Sequence, residues 1–242
     1  MKKILLYSGG MDSWLIDKIW KPDEKIYVNM HTRYSEQEIS KLKMRNENVT
    51  ILDFPLGQFE RDDKIIPLRN LYLAMLICNY TGNEDVDICL GATAGDRVLD
   101  KSSGFVNRVN DLLNYLYSPQ WWIPDGKKVR VNIDFKDKTK SDLLDMYLSA
   151  GGTLEEAFNN SFSCYEPDEE NHECWACKPC FRKFVTFADK GFEFSPEVLN
   201  KVIPYIAKEI IPQIKNGTYG RGESEESLIL SVYEKYKSFD KI

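Results

Sequence analysis

Long apolar runs are missing from this 242-residue chain, and nothing in it approaches the roughly 20 consecutive apolar residues that span a bilayer. The opening MKKILLYSGG begins with basic residues, as a signal peptide does. Its apolar stretch Ile4–Tyr7, however, is too short for one and runs straight into glycines. It reads as a first β-strand, and no export signal is expected. Cysteine is scarce: six residues are too few for a disulfide scaffold, and four of them fall within 17 positions. A basic surplus is also lacking, since 32 Lys and Arg face 38 Asp and Glu for a net charge of −6. That balance argues against a long duplex nucleic acid as the main partner, while leaving room for a small anion in a local pocket. These absences together predict a cytoplasmic protein without a membrane partner.

The remaining composition is that of an ordinary globular chain, long enough for a core that needs no staples. Strand and helix patterns alternate. Short β-rich runs are read at Lys3–Tyr7, Lys25–Met30, Val49–Phe54, Val86–Gly91 and Lys128–Phe135. Between and after them, helical stretches are read at Asp12–Trp20, Glu36–Asn46, Leu68–Tyr80, Phe105–Tyr117 and Ser141–Ala150. Such alternation predicts an α/β fold, a parallel sheet with helices on both faces. After Gly152 the character changes, so the expected organisation is an α/β domain over 1–152 and a metal-binding, helical C-terminal subdomain over 153–242. Asn159–Arg182 reads as a polar, cysteine-rich loop without clear periodicity, and Ser195–Lys215 and Ser224–Phe239 read as helices.

Two motifs carry chemistry. The first is Ser8-Gly9-Gly10-Met11-Asp12-Ser13, between the first strand and the first helix. Successive glycines let the backbone approach an anion closely, and freed amides and the helix dipole then face phosphate oxygens. Ser8 and Ser13 add hydroxyl donors, and Asp12 is placed to cap the helix or to help hold Mg2+ beside the phosphates. A bare capped turn is the plainer alternative. The pattern fits neither a Walker loop nor a dinucleotide fingerprint. It resembles the SGGxDS loop of the ATP pyrophosphatase superfamily, which splits ATP between its α- and β-phosphates.

The second motif is Cys164, Cys174, Cys177 and Cys180. Two Cys-x-x-Cys intervals in series, with a fourth cysteine brought in over a loop, suit a tetrahedral Zn2+ at roughly 2.3 Å from each sulfur. Four thiolates leave no open position, so such a zinc is structural. An iron–sulfur cluster uses the same ligands, and disulfides are a third alternative. Cys78 and Cys89 lie in apolar contexts and read as core filler.

With both motifs in place, the chain resembles the 7-cyano-7-deazaguanine synthase family of queuosine-precursor biosynthesis, over most of its length to about residue 190. Pro67-Leu68-Arg69-Asn70 resembles the family's Pro-Gly-Arg-Asn. Gly91-Ala92-Thr93, Asp96 and Ser103-Gly104-Phe105 stand near its aspartate and Ser-Gly-Tyr stretch. Lys140 resembles a lysine beside the activated phosphate, and Ser163-Cys164-Tyr165 and the last cysteines followed by Arg182 complete the order. The resemblance implies ATP binding by Ser8, Gly9, Gly10, Met11, Asp12, Ser13 and Met30. It implies phosphate chemistry by Ser8, Asp12 and Lys140, and substrate binding by Arg69, Asn70, Gly91, Thr93 and Asp96. It also implies a reaction: 7-carboxy-7-deazaguanine is adenylated by ATP, ammonia gives the amide, and a second activation dehydrates the amide to the nitrile. The cofactors so implied are ATP, Mg2+ and structural Zn2+, and the implied assembly is a homodimer.

The chain departs from the family pattern at His31-Thr32-Arg33-Tyr34-Ser35-Glu36, at Val106-Asn107-Arg108 and around Ile133-Asp134-Phe135, and so reads as a divergent member. Transfer of the activated deazapurine to another amine, arrest at the amide, tRNA thiolation and a nucleotide-binding module without turnover are the competing readings. Trp121-Trp122, with Tyr115, Tyr117 and Pro119, reads as a base-stacking surface or an aromatic packing or dimer patch. His31 is either a nucleotide-loop residue or a surface histidine. The acidic runs Asp168–Glu170 and Glu223–Glu226 read as solvated charge.

Overall fold

The computed structural model describes residues 1–168 and 172–240. Glu169 and Glu170 of the acidic run therefore lie outside the described residues. The described chain forms two compact units, Met1–Lys138 and Thr139–Ile242. The helix just before Gly152 thus belongs with the second unit, ahead of the change in composition.

The first unit is built on a five-stranded parallel sheet of order β3-β2-β1-β4-β5. Its strands are β1 (Lys2–Leu6), β2 (Glu24–Asn29), β3 (Thr50–Asp53), β4 (Val86–Cys89) and β5 (Val129–Asn132). Four helices accompany them: α1 (Met11–Trp20), α2 (Ser35–Met44), α3 (Arg69–Tyr80) and α4 (Ser103–Leu116). Side chains alternate across the sheet. Ile4, Ile26, Val28, Val86, Ile88, Val129 and Val131 pack against Leu73, Ala74 and Ile77 of α3 and Val109 and Leu113 of α4. On the opposite face Leu5 is fully buried, α1 packs on β1 through a flank that buries Leu15 and Ile16, and Tyr27 bonds to Glu38 of α2. Both faces are therefore covered, as the alternation predicts.

The strand order reverses direction between β1 and β4. Crevices at such a switch point, outside the carboxyl ends of the strands, are where open α/β sheets bind ligands. The loops following β1 and β4 both open there. Helix α3, whose N-terminus reaches the same crevice, is held at its other end by the buried Lys127. That ammonium donates to the carbonyls of Cys78 and Gly82 and to Thr81 Oγ1, each at 2.7 Å, a cation placed where the helix dipole favours one.

The second unit contains α5 (Lys140–Ser149), α6 (Leu154–Asn160), α7 (Lys178–Asp189), α8 (Pro196–Tyr205), α9 (Ile211–Lys215) and α10 (Glu223–Tyr236). Its core joins Phe181, Phe184 and Val185 of α7 to Leu199, Val202 and Ile203 of α8, with Ile229 and Val232 of α10. Two sequence expectations are corrected here. The stretch read as a loop to Arg182 contains the start of α7: Cys177 is its N-cap, and Phe181, Phe184, Val185 and Ala188 give it a buried helical stripe. Pro179 in the first turn imitates a break, although proline is tolerated there because that N–H has no helical partner. Ser195–Lys215 is not one helix either. Pro204 and Pro212 each lack a donor, and a π-helical turn at Ile206–Ile210 separates α8 from α9. Among the described residues no helix is long and apolar enough to cross a membrane.

Candidate active site and metal centre

The glycine loop links β1 to α1. Gly9 has φ +70°, a left-handed backbone, and a Cβ there would lie 2.9 Å from Leu42 Cδ2. Glycine takes that backbone without strain, whereas a larger residue would be strained and would have to push the tip of Leu42 aside. Gly10, extended, is the N-cap of α1 and carries no side chain to occupy the helix end. Ser13 Oγ donates to the Gly10 carbonyl at 3.0 Å and lies 3.3 Å from Ser8 Oγ, so two hydroxyls line the helix mouth. From α2's end, Arg45 donates to the Gly9 carbonyl at 3.2 Å, fixing the turn from outside. Across the switch point, Thr93 Oγ1 is 3.5 Å from Asp12 Oδ2, tying the loop after β4 to the loop after β1. The result is a helix N-terminus with no side-chain cap hydrogen bond among the described residues and two hydroxyls beside it, an arrangement suited to phosphate.

A cleft of about 300 Å³ opens beside this loop. Of the residues expected from the sequence, Ser8, Asp12, Ser13, Met30, Arg69, Asn70 and Gly91 line it. Met11 does not present its side chain there, because that side chain is buried. Asp96 closes its own loop, accepting from the Thr93 amide at 3.1 Å and from Lys101 at 2.9 Å. Lys140 is the first residue of α5, in the second unit, directly after the N-cap Thr139 and within the Thr139–Asp142 capping box.

Sequence reasoning passed over several groups. Lys101 and Glu38 also line the cleft. Asp100 accepts the Asn70 amide at 3.1 Å and so caps α3 at the cleft wall. Glu38 accepts the Tyr27 hydroxyl at 2.7 Å, and burial pushes its carboxyl above the ordinary glutamate range despite that bond and the positive Arg69. Its helix is polar on most positions, so nothing in the local pattern singles it out.

His31 stands at the carboxyl end of β2 in a left-handed conformation, φ +55°. Its Nε2 is 2.9 Å from Asp53 Oδ1, and its side chain is exposed. Trp121 is 90% exposed, and Tyr117 meets Trp122 edge-on at 5.7 Å. The pair thus divides between a free ring and a packed one.

In the second unit the sulfurs of Cys164, Cys174, Cys177 and Cys180 all lie within 4.8 Å of one another. A tetrahedron with zinc–sulfur bonds of about 2.3 Å has sulfurs about 3.8 Å apart, and Cys174 and Cys180 are 3.9 Å apart. The donor set therefore fits an ion such as zinc, and all six cysteines of the chain are free thiols. Backbone amides are already aimed at sulfur. Glu166 and Cys174 donate to Cys164 Sγ at 3.3 Å, and Ala176 donates to Cys174 Sγ at 3.4 Å. Hydrogen bonds shared among the four sulfurs pull Cys177 below the usual thiol range and, with burial, push Cys164, Cys174 and Cys180 above it, so one sulfur of the cluster holds its charge first. Cys78 and Cys89 differ: burial raises them to about 11 and about 12, so they stay protonated filler.

An ion pair supports the loop. Lys183, 2% exposed, donates to the carbonyls of Phe158 and Ser161 and to Glu173 Oε2, at 2.8–2.9 Å. The other Glu173 oxygen accepts the Ser163 amide at 2.6 Å. Glu173 and Ser163 flank Cys174 and Cys164, so this network fixes the two chain segments that bring the first two sulfurs together.

Comparison with known proteins agrees with this arrangement. The family described as "Queuosine biosynthesis protein QueC" matches residues 46–191, a span that includes Arg69, Asn70 and all four clustered cysteines. The chain is 24% identical over 223 residues to the 7-cyano-7-deazaguanine synthase of Chromohalobacter salexigens, covering 78% of this chain and 83% of that one. It is 25% identical over 220 residues to the protein of the same name from Alteromonas mediterranea, covering 78% and 94%. A Marinomonas protein of that name is 23% identical over 224 residues, with the same coverage as the Alteromonas protein. With a family model matching more than half of its length, a four-cysteine centre and these relatives, the chain belongs to the QueC family, as a divergent member.

Proposed function

We propose that this chain is an ATP-dependent carbon–nitrogen ligase that converts 7-carboxy-7-deazaguanine and ammonia to 7-cyano-7-deazaguanine. The observation that carries the reading is the Gly9 turn: left-handed, closely approached by Leu42, and beside the paired hydroxyls of Ser8 and Ser13 at the β1/β4 switch point. A turn so constrained and so open on one side is suited to receiving the phosphates of ATP.

A carboxylate is a poor electrophile, and transfer of AMP to it supplies a good leaving group while pyrophosphate departs. Ammonia then displaces AMP to give the amide. The amide oxygen takes a second AMP from a second ATP, and loss of AMP and protons leaves the nitrile. In this scheme the loop amides, Ser8 and Ser13 hold the phosphates, and Lys140 stabilises charge as it moves toward pyrophosphate. Asp12 would hold Mg2+, which neutralises phosphate charge. Met30 seats the nucleotide, while Arg69, Asn70, Gly91, Thr93 and Asp96 belong to substrate positioning. The four cysteines saturate a tetrahedral ion, so the zinc they would hold orders the protein and takes no part in the chemistry.

The test is to incubate the protein with ATP and 7-carboxy-7-deazaguanine, with and without ammonia, and to identify products by mass. Two pyrophosphates per nitrile are expected. An amide without nitrile places the end point one step earlier, and absence of substrate-dependent pyrophosphate overturns the reading.

A further inference from the structure

The glycine turn has a covered side and an open side. Its Gly9–Gly10 peptide is trans, so the Gly9 carbonyl and the Gly10 N–H point in opposite directions. The carbonyl lies on the covered side. It accepts from Arg45 Nη1 at 3.2 Å, and Leu42, 3% exposed, stands where a Cβ on Gly9 would point. Leu42 and the C-cap Arg45 are neighbours on one face at the end of α2. The amide lies on the open side. It faces Ser8 Oγ at 3.4 Å, and Ser8 is exposed and lines the cleft.

A Gly-Gly peptide is poorly able to keep such an orientation alone, because neither residue has a Cβ to restrict its rotation. Turned over, it would present an oxygen to an anion where it had presented an N–H. Arg45 opposes that rotation, and Arg45 is itself held. Its Nη1 is 3.7 Å from Glu47 Oε1, and the other Glu47 oxygen is 3.2 Å from Lys25 Nζ. Lys25 also reaches Asp17 at 3.4 Å and lies over the ring of Tyr7, the residue before the loop. The four charged side chains are only 11–17% exposed. Two cations and two anions cancel, so the cluster places a guanidinium without adding net charge behind the turn.

We infer that Arg45 is a positioning residue for the glycine turn: by holding the Gly9 carbonyl it keeps the Gly10 N–H directed at bound phosphate. The inference deepens the proposed function and rests on its reading of this loop as the phosphate site.

Arg45→Met removes the donor and keeps much of the bulk. Lys43→Met is the comparison, since it takes a positive charge from the same helix end at an exposed position. The full-length, zinc-loaded protein is titrated calorimetrically with α,β-methylene-ATP and Mg2+, at about 0.05 M and about 0.5 M KCl. Arg45→Met is expected to bind about tenfold or more weaker at both salt concentrations, with Lys43→Met within about twofold of the unsubstituted protein. A general attraction between charges would instead fade as salt screens it. A loss confined to low salt, an equal loss in Lys43→Met, or unchanged affinity in Arg45→Met overturns the inference. A second measurement needs no substitution and so guards against a variant that fails to fold. In protein carrying isotopically labelled glycine, the Gly10 amide resonance is expected to move downfield when the nucleotide binds, as its N–H gains a phosphate acceptor. A Gly10 resonance that stays in place while calorimetry records binding overturns the inference and leaves the functional reading standing. If the unsubstituted protein does not bind the nucleotide, the functional reading fails and the inference falls with it.

Discussion

The cleft of the first unit and the cysteine centre of the second handle concentrated charge in opposite ways. Around the cleft the pairing is incomplete among the described residues: Asn70 Nδ2 has no hydrogen-bond partner, no side chain caps α1, and Gly9 is bent into a left-handed turn. At the cysteines almost everything is paired within the protein, with amides on sulfur and the Lys183–Glu173 pair satisfied on both sides. The difference teaches which centre is built to exchange its occupant. A site that must bind and release a ligand keeps its own hydrogen-bonding capacity open, whereas a site that holds an ion for the life of the fold spends that capacity on holding its ligands still.

Gly9→Val strikes the open site hardest. The branched side chain meets Leu42 and is strained at φ +70°, so pyrophosphate release is expected to drop by about 100-fold or more. A turnover assay alongside a melting curve checks this, and unchanged turnover would break the contrast at its active end. Cys177→Ser should act the other way round. Loss of a ligand lowers the melting temperature by about 10 °C or more, while turnover per folded molecule at low temperature is retained. A fully folded, metal-free variant without catalysis would show that the closed centre joins the chemistry.

Lys183→Met comes next in size. It strands the Glu173 carboxylate in the interior, at a cost of about 3–5 kcal/mol. A double substitution, Lys183→Met with Glu173→Leu, should recover much of that in chemical denaturation. Failure to recover would mean that the pair holds the cysteine loop by more than mutual neutralisation.

A smaller effect is expected from pH. Burial keeps the Glu38 proton on to higher pH in the folded protein than in the unfolded chain. The unfolded state therefore ionises first, and stability from this group falls as pH rises through the interval between the two values, remaining constant outside it. Glu38→Gln should remove that slope from the stability–pH curve, and persistence of the slope would assign it to another group. Smallest of all, Trp121→Ser at a 90% exposed position should change stability by no more than about 0.5 kcal/mol. A larger loss in a dilution-sensitive melt would identify Trp121 as part of an interface.

Much of the first unit was legible from the chain alone because its information is local. Buried parallel strands show as short apolar runs whatever packs on them, and β1 to β5 fall within a few residues of where the pattern puts them. The glycine loop and the cysteine spacing are equally local. Glycine is demanded by a backbone conformation, and Cys-x-x-Cys by the geometry of one turn. What failed was local evidence that pointed two ways. Pro179 and the cysteines concealed the start of α7, and a continuous apolar pattern concealed the π-helical turn between α8 and α9.

The sequence by itself determined the α/β class, the place of the glycine turn after β1 and the four-sulfur donor set, since each follows from residues close together in the chain. Only the tertiary structure decided which distant polar groups share a cleft. Glu38 on a polar helix and Asn70 at a helix start are 32 positions apart, and nothing in either neighbourhood says that they line one cavity. Lys183 likewise looks like an ordinary helix lysine until the fold buries it against Glu173. Burial, not identity, gives a polar side chain its function here, because the cost of removing it from water exists only once the rest of the chain has closed around it.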